Sequence, residues 1–268
     1  MGNQKERTTT GYVHSIETFA ALDGPGLRTV IFIQGCPLKC KFCHNIDCAL
    51  KEKKGDYISA KNLVKKILKN KPYWESCNVS DRKCRGGVTL SGGDPVFQPK
   101  FTLDILKELK KHQIHTAVDT SLYTSHKTID SWLPFVDLWM VSLKHMNSAK
   151  HRELTSVDNK RILENIVYLD SKLSDIPNKN KDTQKLRIRF LVIPTITDDP
   201  EHIRQVGKFV SKIQNLEVLE ILKYGSHGKH KWIEIFGKYE LEGVPEAEDK
   251  DIERALKILE NYKLPIKK

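Results

Sequence analysis

Short apolar runs alternate with amphipathic helical patterns along most of the chain. Six runs have the composition of buried strands: Arg28–Gln34, Val88–Ser91, His115–Thr120, Leu138–Leu143, Leu186–Ile193 and Leu216–Leu222. Helical patterns follow them at Ser59–Asn70 (with Ser59 as N-cap), Thr102–His112, Thr128–Leu133, Lys160–Leu169, Pro200–Ile213 and Lys250–Tyr262. This alternation predicts a parallel sheet covered by helices, because each helix returns the chain to the start of the next strand.

The number of repeating units limits the architecture further. Six units fall short of the eight in a closed barrel, so we predict an α/β fold: an open partial (β/α)6 barrel of parallel strands with outer helices. Functional side chains should then lie at the carboxyl ends of the strands. We expect a polar, disordered tail over residues 1–10 and a single domain over residues 11–268. Tyr73–Arg85 and Asp175–Lys185 have the composition of insertions, the second of them a mobile loop.

Three cysteines directly follow the first predicted strand with the spacing C-x3-C-x2-C: Cys36, Cys40 and Cys43. One short loop can place three thiolates around a metal centre, and an iron–sulfur cube with three protein ligands keeps one iron open to an exogenous molecule. Cys48 could complete a zinc site instead, but such sites usually pair two half-sites from separate loops. Cys77 and Cys84 are separated by six intervening residues and supply no second half-site. On the loop alone we favour a cluster over zinc.

Composition narrows the function classes. The chain has 268 residues and a formal net charge of +11. We find no apolar run that could span a membrane and no secretory segment, and six cysteines fit a metal site in a reducing compartment, so we expect a cytoplasmic protein. The lysines are dispersed without interleaved aromatic residues, which argues against nucleic-acid binding. We interpret the charge first as a solvated surface and second as attraction for an acidic electron-donor protein.

Further motifs stand at the other strand ends. The second predicted strand ends in Gly92-Gly93-Asp94, which alone would be an ordinary turn. Glycines there let a backbone approach a ligand closely, and the carboxylate can bind an ammonium group. Four other segments complete the set: Asp23-Gly24-Pro25-Gly26, Cys43-His44-Asn45, Asp119-Thr120-Ser121 and Gly228-Lys229-His230-Lys231-Trp232. Over nearly the full chain, from about Gly11, this set resembles the glycyl-radical-enzyme activases of the radical S-adenosylmethionine superfamily.

The resemblance implies a role for each matched residue. One 4Fe–4S cluster would be held by Cys36, Cys40 and Cys43, with S-adenosylmethionine on its open iron. The adenine would be bordered by Phe42, Cys43 and His44. The methionine amino group would be held by Gly92, Gly93 and Asp94. The remaining pocket residues would be Asp119, Ser142, Leu143, Lys144 and Arg189, the last a cation suited to the methionine carboxylate. A lone lysine or arginine is more often a surface charge, but these two stand at successive strand ends.

The same resemblance implies the reaction and its partners. Reductive cleavage of S-adenosylmethionine would give a radical that removes an α-hydrogen from one glycine of a protein substrate, a glycyl radical enzyme, with pyruvate formate-lyase the first candidate. The electron donor would be an acidic flavodoxin or ferredoxin, and the chain would act as a monomer. Three alternatives stay open: activation of another glycyl radical enzyme such as the anaerobic ribonucleotide reductase, a divergent paralogue with weakened cofactor binding, and a zinc-stabilised binding module.

One departure from the family concerns a monovalent cation. The family has Asp-Leu-Lys where this chain has Ser142-Leu143-Lys144. In the family that aspartate binds the cation together with the Asp-Thr pair and a backbone carbonyl near Met140. Ser142 removes one negative charge, so we expect a weaker site and leave the cation in doubt.

Other departures surround the same pocket. Asp94 is one methylene shorter than the family's glutamate, and Leu122 replaces a small residue. Gly225 stands where the family has a histidine near the adenine, and His227 is a candidate substitute by proximity alone. Related activases insert a ferredoxin-like module in the region of Cys77 and Cys84, but its cysteine runs are missing here, so we expect free thiols and no second cluster.

Overall fold

The computed structural model describes residues 9–52, 55–75, 86–176 and 184–268. Within these ranges the strands are β1 Thr10–Ala20, β2 Arg28–Ile33, β3 Asp56–Ser59, β4 Gly87–Gly92, β5 His115–Thr120, β6 Leu138–Leu143, β7 Lys185–Val192, β8 Leu216–Lys223 and β9 Ile266–Lys267. The α-helices are α1 Ile46–Ala49, α2 Ala60–Ile67, α3 Lys71–Trp74, α4 Pro99–Lys111, α5 His126–Trp132, α6 Ser148–Thr155, α7 Lys160–Ser174, α8 Pro200–Val210, α9 Lys229–Phe236 and α10 Asp249–Leu259.

All nine described strands belong to one sheet with the order β3-β1-β2-β4-β5-β6-β7-β8-β9. The six predicted strands, β2 and β4 to β8, are consecutive neighbours, and every pair among them is parallel. Among the described residues β3 and β9 form the two ends of the sheet and do not pair with each other. The predicted open partial barrel is therefore confirmed.

No sequence pattern indicates the outer strands β1, β3 and β9. β1 runs antiparallel to β2, with Val13 opposite Ile33, and β3 pairs with β1 on its other side. β1 was missed because few of its side chains are buried, so its apolar alternation is weak. It begins at Thr10, and Thr9 already donates two hydrogen bonds to the Asp104 carboxylate. The rest of the predicted tail, residues 1–8, lies outside the described residues.

The sheet separates an apolar outer face from a polar inner face, because successive strand side chains point to opposite sides. The outer face packs against the helices through residues such as Leu90, Val118, Trp139, Ile188 and Phe190, all at most 1% exposed. Each buried side chain of this size contributes roughly 1.5–3 kcal/mol. The inner face carries polar and charged residues of neighbouring strands: Arg28, Ser91, Asp119, Ser142, Arg189 and Glu220.

Local signals placed the starts of the predicted helices within three residues, but α7 continues to Ser174, five residues beyond its predicted end at Leu169. Ser59 caps α2 as predicted, its hydroxyl accepting a hydrogen bond from the Asn62 amide at 3.3 Å. The predicted insertions fall largely outside the described residues, which include neither Cys77 nor Cys84. No helix in the described ranges has the length and hydropathy needed to cross a membrane.

Candidate cluster and cofactor site

The cysteine loop leaves the end of β2 and is anchored on both sides by backbone hydrogen bonds. Gly35 and Cys36 donate to the carbonyls of Cys48 and Ala49 at 2.8 and 3.1 Å. The far side of the loop is held by α6, since Lys39 donates to the Thr155 carbonyl at 2.8 Å. These contacts fix the loop at the carboxyl end of the sheet, where the partial barrel predicts its site.

The three cysteines of this loop share one environment. Cys36, Cys40 and Cys43 are half-buried free thiols. Burial raises the pKa of all three, that of Cys43 to about 12, while Lys144 opposes the rise at Cys40 and Cys43. Three free cysteines on one loop beside the Lys144 ammonium fit an iron–sulfur cluster. Although burial raises the pKa of the thiols, binding to the cluster irons keeps them deprotonated. No group of three or more His, Cys, Asp or Glu side chains in the described ranges is arranged to hold a single metal ion. A 4Fe–4S cube does not require such an arrangement, since each thiolate binds a different iron.

Cys48 belongs to the core and not to this set. It is 1% exposed, and its thiol donates to the Ile33 carbonyl at 3.3 Å. Burial raises the pKa of this thiol to about 12 as well. The Cys48 side chain is thus hydrogen-bonded to the end of β2, so Cys48 can serve as a matched control for the three loop cysteines.

The aromatic residue in the cysteine motif lies beneath the predicted pocket lysine. Phe42 is buried, and the Lys144 ammonium lies 5.3 Å from its ring centroid. The predicted residues Phe42 and Lys144 are therefore brought together beside the cysteines. An ammonium over an aromatic ring is attracted by the ring quadrupole.

His44 and His227 form the exposed rim next to the cysteines. His44 Nε2 lies 2.8 Å from the Gly225 carbonyl oxygen, and the two imidazole rings meet edge to face at 5.5 Å. A Cβ added to Gly225 would lie 2.9 Å from His227 Nε2. The His227 ring thus lies where a side chain at position 225 would lie. This is the position that His227 must occupy if it substitutes for the family's histidine.

The two glycines after β4 let three backbone segments meet. A Cβ on Gly92 would lie 2.3 Å from the Ile33 nitrogen, and one on Gly93 would lie 2.2 Å from the Gly35 oxygen. Gly92 also has a φ of +116°, which side chains rarely adopt. Only glycine allows the end of β4 to lie against the start of the cysteine loop.

Asp94 is buried, and protein donors surround its carboxylate. Oδ1 accepts from the Thr120 hydroxyl at 2.7 Å and the Val96 amide at 3.2 Å; Oδ2 accepts from the Ser121 amide at 2.9 Å and the Ser121 hydroxyl. Burial raises the pKa of this carboxyl, and these hydrogen bonds oppose the rise. The four bonds join the end of β4 to the end of β5 and use about all the acceptor positions of a carboxylate.

Three predicted pocket residues meet on the inner face of the sheet. Arg189 Nη1 donates to Asp119 Oδ2 at 3.0 Å, and Ser142 is the register partner of Arg189 on β6. Leu143 does not join them: it is 3% exposed within the outer apolar core, so only its backbone faces the site. The cause is strand geometry, since Leu143 follows Ser142 directly and must point the opposite way.

Sequence reasoning missed two residues that shape the site. Glu220 is buried on β8, and its Oε2 accepts from Arg189 Nε at 2.9 Å. A charged residue inside the apolar run Leu216–Leu222, which also holds Glu217, was the available signal. Trp232, to which the sequence motif Gly228–Trp232 assigns no task of its own, donates from Nε1 to the Cys43 carbonyl at 2.9 Å. Leu122, treated above as a pocket substitution, is 0% exposed in the outer core and has a φ of +57°.

Two stacked histidines behind Lys144 predict acid sensitivity. His145 and His202 are 4% exposed with ring centroids 3.9 Å apart. Burial, followed by the neighbouring His202, lowers the pKa of His145 from 6.5 to about 4. The folded protein keeps this ring neutral, so the contribution of His145 to the free energy of unfolding is constant above pH 6.5 and becomes unfavourable as the pH drops from 6.5 towards 4. We expect a loss of about 2–3 kcal/mol over this range from His145.

Urea unfolding at several pH values measures this loss. A His145→Gln variant should flatten the acid slope, whereas the same change at the exposed His112 should leave it as in the wild type. An unchanged slope in the His145 variant would contradict the assignment.

Comparison with known proteins places these features in a family. The family described as "4Fe-4S single cluster domain" matches residues 22–166. The chain is 35% identical to the pyruvate formate-lyase-activating enzyme of Staphylococcus epidermidis, covering 96% of this chain and 98% of the relative. It is 36% identical to the pyruvate formate-lyase 1-activating enzyme of Escherichia coli K12, covering 94% of this chain and 96% of the relative.

Solved structures agree with the fold. A domain of the pyruvate formate-lyase-activating enzyme from Bacteroides vulgatus superposes with a TM-score of 0.55 at 26% identity, covering 68% of this chain and 98% of that one. A radical SAM methyltransferase from Sphaerobacter thermophilus has a TM-score of 0.60 at 13% identity over 90% of this chain and 65% of that one, which shows the shared fold alone. By its fold, its cysteine loop and its full-length relatives, the chain belongs to the radical SAM family of pyruvate formate-lyase-activating enzymes.

Proposed function

We propose that this protein activates pyruvate formate-lyase by installing a glycyl radical, using S-adenosylmethionine and one 4Fe–4S cluster. The carrying observation is the placement of three free cysteines, on one anchored loop, beside the polar inner face of the sheet. Cys36, Cys40 and Cys43 would hold the cluster, which would supply the electron for reductive cleavage of S-adenosylmethionine and so the means of removing the glycine α-hydrogen. The protein orients the two cofactors and the peptide and excludes side reactions.

Each described residue has a task in this proposal. Cys36, Cys40 and Cys43 would hold the cluster, with Phe42 and His44 bordering the adenine. Backbone groups of Gly92 and Gly93 would face the methionine amino group, with Asp94 anchoring this segment from behind. Lys144 and Arg189 would supply positive charge to the methionine carboxylate. The hydrogen bonds of Arg189 to Glu220 and Asp119 use its Nε and Nη1.

A cleft offers the protein substrate a path to the inner face. It has a volume of about 360 Å³ and reaches Arg189 between the β1–β2 loop and the last strands. Its lining includes Leu22, Lys223, Asp249 and Lys267. Leu22 is 79% exposed at the entrance, an apolar contact available to a peptide. We place the glycine-bearing segment of the substrate here.

The partners and the setting complete the proposal. The net charge of +11 favours an acidic flavodoxin or ferredoxin as electron donor, because opposite charge speeds association. We assign the protein to the cytoplasm, acting as a monomer.

The test uses anaerobically reconstituted, reduced protein with S-adenosylmethionine and pyruvate formate-lyase. We expect 5′-deoxyadenosine by chromatography and a glycyl radical by electron paramagnetic resonance. The glycyl radical signal should be absent when the substrate glycine is replaced by alanine. A radical formed only on an anaerobic ribonucleotide reductase would reassign the substrate. A cluster that fails to bind S-adenosylmethionine would favour the divergent paralogue, and tightly bound zinc without iron would overturn the proposal.

A further inference from the structure

The inner face holds a charge network that no sequence motif indicates. Arg189 on β7 binds Asp119 on β5 through Nη1 at 3.0 Å and Glu220 on β8 through Nε at 2.9 Å. Glu220 also lies 3.7 Å from Arg187 and 3.4 Å from Lys267. One guanidinium thus joins carboxylates from strands on both sides of its own.

Arg189 on β7 reaches Asp119 on β5 across the strand that lies between them, β6. Neighbouring strands are about 4.8 Å apart, so Arg189 must cross β6 to meet Asp119 two strands away. It crosses at the level of Ser142, its register partner on β6. A short, uncharged side chain at position 142 leaves this space to the guanidinium.

The charges of the network balance. Its three carboxylates belong to Asp119, Glu217 and Glu220. Its three cations are Arg187, Arg189 and Lys267, and Arg187 binds Glu217 at 3.0 Å in addition to its contact with Glu220. Burial and the neighbouring Asp119 raise the pKa of the nearby Asp23 carboxyl, and Arg189 and Arg28 oppose the rise. A metal cation beside Asp119 would therefore meet a guanidinium already paired with that carboxylate. The site does not fit the monovalent cation that the family resemblance implies.

We propose that the Arg189 guanidinium takes the place of this monovalent cation, making S-adenosylmethionine binding independent of potassium and sodium. The inference rests on the proposed function, because it concerns the cofactor of that site. Arg189 is anchored on Asp119 through Nη1 and on Glu220 through Nε, so its guanidinium would be held in place to attract the ligand carboxylate, a task that a metal ion otherwise shares. Ser142 is the residue that permits this exchange.

The test compares salts at a constant ionic strength of about 0.15 M, where exposed charges are similarly screened. The affinity of the reconstituted protein for S-adenosylmethionine is measured in potassium, sodium or choline chloride. We expect the three dissociation constants of the wild type to agree within about twofold, an energy difference of roughly 0.4 kcal/mol. A tenfold loss in choline would overturn the inference alone, whereas no binding in any salt would count against the proposed function.

A second measurement needs neither cluster nor activity. Thallium(I) serves as the monovalent probe, followed by its nuclear magnetic resonance on cluster-free protein. Wild type and Ser142→Asn, a neutral control of similar size to aspartate, should bind no thallium at this site, whereas Ser142→Asp should bind it and become salt-dependent for S-adenosylmethionine. Thallium bound by the wild type and displaced by potassium, or a Ser142→Asp protein indistinguishable from Ser142→Asn, would overturn the argument from charge.

Discussion

Replacing Cys40 with alanine should reduce the iron content of the reconstituted protein to background and abolish cleavage of S-adenosylmethionine. Two thiolates cannot hold a cube that needs three protein ligands. We expect a fall in activity of more than about 100-fold. Loss of a residue that only hydrogen-bonds to a metal ligand already costs roughly 10–100-fold, and Cys40 would itself be a ligand. Iron and sulfide analysis, with the visible absorption of the cluster, measures the first effect.

Cys48 provides the matched control. It lies five residues beyond Cys43, but its thiol is bonded to the Ile33 carbonyl inside the core. Cys48→Ala should retain full iron content and lose about 1 kcal/mol of stability. Equal loss of iron in the Cys40 and Cys48 variants would instead mean that four cysteines bind the metal, as in a zinc site.

The sequence was most informative about the parallel strands. Their apolar runs are buried on the outer face, so hydrophobic pattern and turn residues suffice to place them within one or two residues. β1 and α9 escaped detection for the opposite reason. In α9 only Trp232 is buried, and in β1 the exposed residues dominate, so neither element carries a periodic apolar signal.

Strand parity could have improved the predicted site. The family resemblance places Ser142, Leu143 and Lys144 together in the pocket, but alternate strand residues face opposite sides and Leu143 lies in the outer core. The pairing of Arg189 with Asp119 and Glu220 could not be predicted, because it joins three strands that are distant in sequence. Spacing along the chain identifies residue types at strand ends but gives no information on which of them neutralise one another.

Replacing Asp94 with alanine should be the most destabilising single change at the site that leaves the cysteines intact. The carboxylate is buried and accepts two backbone amides and two hydroxyls, at Val96, Thr120 and Ser121. Each buried donor left without a partner costs about 1–3 kcal/mol. Relaxation and water entry recover part of this sum, so we expect a loss of about 3–5 kcal/mol, measured by urea unfolding of the cluster-free protein.

Substitutions that remove single donors separate the anchoring role of Asp94 from ligand contact. Ser121→Ala and Thr120→Val each remove one hydroxyl and should cost about 1 kcal/mol. Asp94→Asn keeps one acceptor oxygen but turns an amide donor towards other donors, so its stability should fall between wild type and Asp94→Ala. If Asp94 anchors the strand ends, S-adenosylmethionine affinity should decline in the same order as stability across these variants. A stable Asp94→Asn protein that has lost its affinity would show instead that the carboxylate binds the ammonium group directly, because only the ligand would then require its charge.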